Sequence, residues 1–352
     1  MKKRNLVLMS AMLILTLVAM WGCGNSEPKQ QITVFNYGMY IDPAILDQFT
    51  AETGIEVLYE EAVTPEELYS KYSSGAIQYD VVCSSEYIIM KLMEDQELQP
   101  IDFTQFENIE NISDECWAFC ATFDEENQYA LPYFYGTVGL LYNTEMVSEP
   151  PTSWDVLFNG EYAGEIIMQN SMRDSFMIAL RYLGYSCNTT NPDELAAARD
   201  LLIAQKPDVQ AYLVDEARDE MVAENAAIAV VYSGDGILAC EYNENLAYVV
   251  PEEGSNLWID CWGISQSCDN PEAVYTFLNY LCCREDIALQ NFEYVYYPTP
   301  NTAVVAALDE ETTSNTALFP PLGSLTNCEV YQLMDEETTA LMNEYWKAVK
   351  AE

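Results

Sequence analysis

Strand and helix signals alternate along most of this chain, and this alternation constrains its fold more than any other feature of the sequence. Apolar, β-branched runs predict strands at 32–37, 55–62, 79–85, 164–170, 226–234 and 246–254. Helices are predicted at 43–53, 65–74, 171–184, 192–205, 271–291 and 335–349. Strands that alternate with helices form a parallel or mixed sheet with helices on its faces, so the predicted fold class is α/β.

Capping residues mark where the first two helices begin and end. Asp42 and Pro43 precede the first helix and Gly54 follows it, as expected for an N-cap, a first-turn proline and a C-terminal glycine. The run Thr64-Pro65-Glu66-Glu67 has the form of a capping box. A chain of 352 residues is long enough for two such units, and we expect two α/β lobes.

The first 31 residues are expected to lie outside these lobes. Basic residues at 2–4 precede an apolar run from 6 to 21, which is typical of a signal peptide covering residues 1–22 and short for a membrane span. The Gly-Cys pair that ends at Cys23, followed by polar residues, resembles a bacterial lipoprotein cleavage and lipidation site. We therefore expect acyl chains on Cys23, a flexible linker over residues 23–31, and a mature protein anchored at the extracytoplasmic face of the cell membrane.

The charge of the chain is strongly negative. It has 57 acidic residues, 14 basic residues and no histidine, which gives a formal net charge of −43. Such a charge argues against nucleic acids and anionic lipids as partners and favours cationic ligands. The absence of histidine excludes Ser-His-Asp and Cys-His catalysis and removes the commonest metal ligand, so we expect no cofactor and no metal centre.

Ten cysteines follow Cys23, and none of them forms a Cys-x-x-Cys motif. Their dispersed positions are typical of cysteine used as a small apolar residue. An exported protein can form disulfides, and Cys116 with Cys120 is the pair to test first. We expect mostly free thiols.

Polar and aromatic residues gather where the predicted strands end. In open α/β sheets, ligands bind beyond the carboxyl ends of the strands. The residue groups at these ends are Asn36-Tyr37, Ser84-Ser85-Glu86, Asn170-Ser171 and Tyr232-Ser233-Gly234-Asp235. Any one group is explained by the polar turn that follows most strands, but the repeated combination of aromatic and acidic residues favours a ligand site.

The stretch NLWIDCWGI, residues 256–264, places an acid between two indoles. In an extended strand, Trp258, Asp260 and Trp262 point to the same face. An isolated buried carboxylate is costly, so the pattern favours a cation bound between aromatic rings. The alternative is that both indoles are core residues and Asp260 caps a turn.

The sequence resembles the spermidine/putrescine-binding proteins, the extracytoplasmic receptors of polyamine ABC importers. The segments that carry the resemblance are ITVFNYGMYIDPAILDQFTAETGIEVLYEEA, YDVVCSSEYIIMKLM, ALRYLGYSCNTTNPDEL, WIDCWGI and YYPTPN. They occur in the family's order, and the resemblance runs from about Ile32 to the C-terminus. The resemblance implies a two-lobed, hinged binding protein rather than an enzyme. Its ligand would be an extended polyamine, with aromatic rings along the methylenes and carboxylates at the ammonium groups.

The resemblance also implies a set of ligand-binding positions. These positions are Tyr37, Tyr40, Ser84, Glu86, Ser171, Asp174, Tyr232, Trp258, Asp260, Tyr297 and Gln332. Several depart from the family pattern: Tyr37 and Tyr232 stand for tryptophans, Glu86 for an aromatic residue, and Ser171 for a second helix acid.

The substitution at Ser171 weakens one expected ammonium site. Glu86 and Asp235 are acids that the family pattern does not require, and they are candidates to rebuild that site, so Asp235 joins the predicted ligand-binding residues. Trp262 replaces an aliphatic residue, and its position in the core or in the pocket stays open. The sequence does not decide between putrescine and spermidine.

The hinged architecture predicts three chain crossings between the lobes. We place them near 135–138, 257–261 and 301–305. The N-terminal lobe would then comprise residues 32–136 and 260–303, and the C-terminal lobe residues 137–259 and 304–352. The closed protein, expected to be a monomer, would dock on an ABC transporter permease and release the amine.

Three alternative functions fit parts of the sequence. A glycosidase would use paired carboxylates, but no activated nucleophile is evident. A ferric-iron receptor would use Tyr296-Tyr297 with Glu86 or Asp260 as ligands. A receptor for a choline-like amine would need an aromatic cage with fewer separated acids.

Overall fold

The structure is a computed structural model that describes residues 30–351. The predicted signal peptide and Cys23 lie outside this range. The strands are β1 (Gln31–Tyr37), β2 (Glu56–Ala62), β3 (Val81–Ser85), β4 (Leu98–Gln99), β5 (Leu131–Asn143), β6 (Ile166–Gln169), β7 (Val209–Leu213), β8 (Ile228–Tyr232), β9 (Leu246–Val249) and β10 (Leu257–Ser265).

Helices separate most of these strands. They are α1 (Pro43–Thr53), α2 (Pro65–Ser73), α3 (Glu86–Glu94), α4 (Asp114–Cys120), α5 (Met172–Tyr182), α6 (Pro192–Gln205), α7 (Glu216–Val222), α8 (Ser233–Tyr242), α9 (Pro271–Leu278), α10 (Glu285–Val295), α11 (Thr302–Ala307), α12 (Glu310–Ser314) and α13 (Glu336–Ala351). Short 3-10 turns lie at Phe103–Gln105, Ile109–Asn111, Trp154–Leu157, Lys206–Asp208 and Leu322–Ser324. Within residues 30–351, no helix is both long enough and apolar enough to span a bilayer.

The strands form one curled, mixed sheet that is shared by two lobes. The strand order is β2-β1-β3-β10-β5-β8-β6-β7, with β4 added beside β10 and β9 beside β5. Strands β1, β2 and β3 pair in parallel, as do β6, β7 and β8. Strands β10 and β5 run antiparallel to their neighbours and join the two parallel sets. The predicted two-lobed α/β fold is confirmed.

Strand β5 belongs to both lobes. Its first half, through Thr137, pairs with β10, whereas its second half, from Val138, pairs with β8 and β9. The N-terminal lobe is therefore built on β1–β4, β10 and the first half of β5, and the C-terminal lobe on the remaining strands. The predicted boundary at 136/137 lies next to this change of partner, and the other two boundaries stay predictions.

Local capping signals predicted three helix ends correctly. Asp42 accepts a hydrogen bond from the backbone N–H of Ala44 (2.9 Å), and Gly54 adopts φ +76° at the end of α1. At the start of α2, Thr64 Oγ1 accepts from the N–H of Glu67 (3.2 Å). The Glu67 carboxylate in turn accepts from the N–H of Val63 (3.0 Å), so the two side chains cap the helix together.

Several elements differ from the prediction, among them β7, α7 and α8, which were not predicted, and the two cases that follow. The single helix expected over 271–291 is two helices, α9 and α10, separated by a π-helical turn at Asn279–Cys283. The long strand β5 was not predicted, because nearly all of its residues are buried and the sequence therefore shows no alternation of apolar and polar residues.

The ten cysteines after Cys23 are free thiols in the described part of the chain, and eight of them are buried. Cys116 and Cys120, both in α4, are not joined. Instead, Cys120 Sγ lies 3.5 Å from Cys261 Sγ. These side chains fill apolar space in the N-terminal lobe, as expected for cysteine used as a small hydrophobe.

Candidate functional site

A cavity lies between the lobes, where the carboxyl ends of the parallel strands in both lobes converge. Its empty volume is about 820 Å³, including space that opens to solvent. The acidic and aromatic residues that line it are Tyr37, Tyr40, Tyr87, Asp174, Asp215, Tyr232, Asp235, Trp258, Asp260, Tyr294, Tyr297 and Tyr331. Arg218, Ser85 and Asn256 also line it, together with smaller apolar residues.

Asp174 lies in the first turn of α5, directly after β6. Ser171 caps this helix by accepting from the N–H of Asp174 (3.3 Å). The Asp174 carboxylate is 3% exposed, and both oxygens accept hydrogen bonds from tyrosine hydroxyls: Tyr232 (2.7 Å) and Tyr331 (2.8 Å). Both donors are neutral, so they solvate the carboxylate without neutralising its charge.

Asp260 lies on β10 beside the end of β3. Its Oδ2 accepts a hydrogen bond from Tyr40 (2.6 Å). The pKa of Asp260 is raised to about 7, chiefly by burial and also by the nearby Asp174, while hydrogen bonds from Tyr40 and Ser85 oppose the shift. A cation in the cavity would relieve the cost of ionising this buried acid.

Aromatic rings form the walls between the acids. The Trp258 ring contacts the rings of Tyr297 (centroids 5.3 Å apart) and Tyr232 (5.9 Å) in edge-to-face geometry. Tyr40 contacts Tyr297 and Tyr37, each at 5.7 Å. Burial raises the pKa of each of these tyrosines well above its usual value, so the hydroxyls remain neutral hydrogen-bond donors.

A second group of charges lies near Asp235, in the first turn of α8. Asp235 accepts hydrogen bonds from the Tyr297 hydroxyl (2.6 Å) and from Nη1 of Arg218 (3.1 Å). Arg218 lies on α7, and its side chain is only 13% exposed. Asp215, which precedes α7, also lines the cavity, and burial raises its pKa to about 7.

Eight of the twelve predicted ligand-binding residues line this cavity. They are Tyr37, Tyr40, Asp174, Tyr232, Asp235, Trp258, Asp260 and Tyr297. Trp258 and Asp260 therefore face the same space. Trp262, two residues further along β10, is instead a core residue that packs edge-to-face against Tyr133 and Phe277.

The other four predicted residues lie outside the cavity lining. Ser84 is fully buried behind Tyr37, whose hydroxyl lies 2.9 Å from Ser84 Oγ. Ser171 serves as the cap of α5. Gln332 is exposed, and its backbone forms hydrogen bonds with the side chains of Arg173 and Asn188.

Glu86 is the fourth of these residues and is fully buried. One carboxylate oxygen accepts from the N–H of Ile259 (3.2 Å), and the other has no partner among the described residues. Burial raises its pKa to about 8. Because Glu86 lies behind the backbone of β10, it does not supply the additional cavity acid that we expected from it.

Sequence reasoning missed Tyr87 and Tyr331, each adjacent to a predicted position. Helix α3 begins at Glu86, and the first helical turn directs Tyr87 rather than Glu86 into the cavity. Arg173 stacks over the ring of Tyr331 (4.2 Å) and lies 5.1 Å from the ring of Tyr87. The extra tyrosines in these two segments were visible signals, but the direction of Tyr87 depends on where α3 begins and that of Tyr331 on the course of the loop in which it lies.

Of the adjacent tyrosines Tyr296 and Tyr297, one lines the cavity. Tyr296 has φ +62° at the end of α10, and its ring stacks on Phe292 at 5.6 Å. Tyr297 contacts Trp258 and Tyr40 as described above. The doublet thus consists of one packing ring and one cavity ring.

Gly136 on β5 leaves room for the Trp258 ring. A Cβ atom at this position would lie 2.5 Å from Ser233 Oγ and 2.7 Å from a Trp258 ring carbon. We expect Gly136→Ala to lower the free energy of unfolding by roughly 1–3 kcal/mol, because the ring and the hydroxyl must move. Urea denaturation would measure this change. Gly323→Ala is the matched control, since a Cβ there has open space, and equal stability of the two variants would contradict the prediction.

Comparisons with known proteins agree with this architecture. The family model for bacterial extracellular solute-binding proteins matches residues 44–320. The spermidine/putrescine-binding periplasmic protein of Salmonella typhimurium is 32% identical over 331 residues, which cover 93% of each chain. The putrescine-binding periplasmic protein SpuD of Pseudomonas aeruginosa is 27% identical and covers 94% of each chain.

A solved structure is also similar to this chain over nearly its full length. The spermidine/putrescine ABC transporter substrate-binding protein PotD of Streptococcus pneumoniae is 39% identical, with a TM-score of 0.75 over 92% of this chain and 99% of that chain.

Proposed function

Because the chain belongs to the family of bacterial extracellular solute-binding proteins, we propose that it is a receptor that binds a polyamine and delivers it to an ABC importer. One observation carries this proposal. Asp174 and Asp260 are buried in one cavity and accept hydrogen bonds from neutral hydroxyls, and within residues 30–351 neither forms an ion pair. Buried carboxylates without a positive partner favour a ligand that brings its own positive charge.

The aromatic walls suit the rest of such a ligand. A polyamine consists of ammonium groups joined by methylenes, so it needs acids at its charges and flat apolar surfaces between them. Trp258, Tyr297 and Tyr40 provide adjacent rings, and each ring near an ammonium group can contribute about 0.5–2 kcal/mol. The names of the relatives from Salmonella typhimurium and Streptococcus pneumoniae specify spermidine and putrescine, which are ligands of this kind.

Binding at this position couples the ligand to lobe closure. Tyr40 and Asp260 belong to the N-terminal lobe, whereas Asp174, Tyr232 and Asp235 begin helices or end strands of the C-terminal lobe. A ligand that contacts both sets binds the closed form more tightly and shifts the equilibrium towards it. The closed form would then dock on the permease and release the amine, with no chemical change to the ligand and therefore no enzymatic step.

We further propose that the protein acts as a monomer at the extracytoplasmic membrane face, anchored by acyl chains on Cys23. Expression of a Cys23→Ala variant would test the anchor. Wild-type protein is expected to incorporate labelled palmitate and the variant to incorporate none, whereas an unlabelled wild-type protein would contradict lipidation.

Isothermal titration calorimetry of the purified protein tests the ligand class. We expect saturable binding of putrescine, spermidine or both, with weaker binding of choline, which carries one charge. Tighter binding of choline would favour the receptor for a singly charged amine, and a visible absorption band on adding Fe³⁺ would favour the iron receptor. If the protein binds neither putrescine nor spermidine, the proposal is refuted.

A further inference from the structure

Two acids, Asp235 and Asp215, lie at the end of the cavity away from Asp174. Asp235 was expected to help rebuild an ammonium site, whereas Asp215 was not among the predicted ligand-binding residues. Both line the cavity, and both belong to the C-terminal lobe. Their surroundings differ, and the difference indicates which of them is available to a ligand.

Asp235 already has a positive partner. Arg218 Nη1 lies 3.1 Å from one carboxylate oxygen, and the Tyr297 hydroxyl donates to the other at 2.6 Å. The Arg218 and Asp235 side chains are 13% and 15% exposed, so water screens this ion pair little. An ammonium group at Asp235 would meet the guanidinium charge as well as the carboxylate.

Asp215 has no hydrogen-bonded positive partner. Within residues 30–351, its carboxylate takes part in no hydrogen bond or ion pair. Burial and the nearby Asp235 raise its pKa to about 7, and the charge of Arg218, which is not in contact with it, opposes this shift. It occupies the N-cap position of α7 but does not accept a capping hydrogen bond. Its oxygens are therefore free to bind a cation.

Asp215 also faces the opposite lobe. A Cβ atom built on Gly38, in the loop after β1, would lie 3.6 Å from Asp215 Oδ2. The same position would lie 4.0 Å from Glu61 Oε2 of the N-terminal lobe. Gly38 thus leaves the space in front of the carboxylate open, and a group bound there would touch both lobes.

We propose that Asp215 binds the second ammonium group of the ligand, while Asp174 and Asp260 bind the first. This assignment rests on the proposed polyamine function and adds a residue to that site. Arg218 holds Asp235 in an internal ion pair, so Asp235 positions Tyr297 rather than binding the amine. Asp215 supplies the acid that Ser171 no longer provides, from a different element of the same lobe.

The test compares a diamine with a monoamine of the same carbon chain. Putrescine has two ammonium groups and n-butylamine has one, so only putrescine can gain from an acid at the second position. We expect wild-type protein to prefer putrescine by tenfold or more and Asp215→Asn to reduce this ratio towards one. Competition experiments by ligand-observed NMR would measure both affinities, including millimolar ones.

Glu216→Gln is the matched control, because it removes an exposed acid next to Asp215 that does not line the cavity. We expect it to retain the wild-type ratio. An Asp215→Asn variant with the wild-type ratio would overturn the assignment, and so would an equal loss in Glu216→Gln. If wild-type protein binds neither putrescine nor spermidine, the proposed function itself fails, which is a distinct result.

Discussion

Asp260→Asn is expected to weaken polyamine binding by about 100-fold, the equivalent of about 2.7 kcal/mol. The substitution keeps the shape of the side chain and removes the negative charge that would pair with the ligand. Because Asp260 is 5% exposed, water cannot replace the lost interaction. Calorimetric titration of the wild-type protein and the variant with putrescine and spermidine would measure the change.

The same substitution is expected to stabilise the ligand-free protein at pH 8. Burial raises the pKa of Asp260 to about 7, above the value of about 3.9 for an exposed aspartate. The folded protein therefore holds this proton more tightly than the unfolded chain, and stability falls as the pH rises from about 4 through about 7. Above pH 7 the ionised side chain costs roughly 3–4 kcal/mol, a cost that asparagine avoids.

Urea denaturation at pH 5 and pH 8 would measure this second effect. From pH 5 to pH 8, the free energy of unfolding of the wild-type protein should fall by more than that of Asp260→Asn. Asp269→Asn is the control, since Asp269 is an exposed acid of the same lobe. Unchanged polyamine affinity in Asp260→Asn, or a variant that fails to fold, would contradict the role assigned to Asp260.

Polyamine affinity is expected to rise with pH between pH 5 and pH 7. The ligand pairs with ionised Asp260, but below pH 7 this acid is mostly protonated in the ligand-free protein and must release its proton on binding. One released proton lowers the affinity about tenfold for each pH unit below 7. Above pH 7 the affinity should level off while the amines remain charged, as lysine does up to a pKa of about 10.4.

Calorimetry in two buffers with different ionisation enthalpies would detect the released protons directly. The groups that interact with Asp260 include the acids Asp174 and Glu86, the hydroxyls of Tyr40, Tyr37 and Ser85, and the Cys83 thiol, and of these the hydroxyls and the thiol do not titrate in this range. Asp260→Asn should therefore show a shallower pH profile, with any remaining slope assigned to Asp215 and Glu86. A wild-type affinity that is constant from pH 5 to pH 7 would contradict proton release by Asp260.

Some parts of the fold follow from short stretches of sequence. The α/β alternation and the caps at Asp42, Gly54 and Thr64 depend on contacts within a few residues, and the structure agrees with them. Strand β5 could not be predicted in this way, because it is buried by both lobes. Its role as a shared strand depends on pairing with β10 and β8, which are far away along the chain.

The candidate site, like the fold, could be predicted from the sequence only in part. Trp258 and Asp260 stand in a segment that carries the family resemblance, Asp174 is among the positions that the resemblance implies, and all three line the cavity. Tyr87 and Tyr331 were displaced by one residue from the predicted Glu86 and Gln332, since side-chain direction at a helix start or in a loop changes with each residue.

The strand–helix alternation can be read from the amino-acid sequence alone, and so can the excess of negative charge and the acid and aromatic residues that suit a cationic ligand. Which of the acids lack a positive partner is evident only in the folded chain. Glu86, Asp235 and Asp215 are equally acidic in the sequence, yet one lies behind β10, one is paired with Arg218 and one faces the cavity without a partner. The physical reason is that burial and ion pairing depend on neighbours that folding brings together from distant positions in the chain.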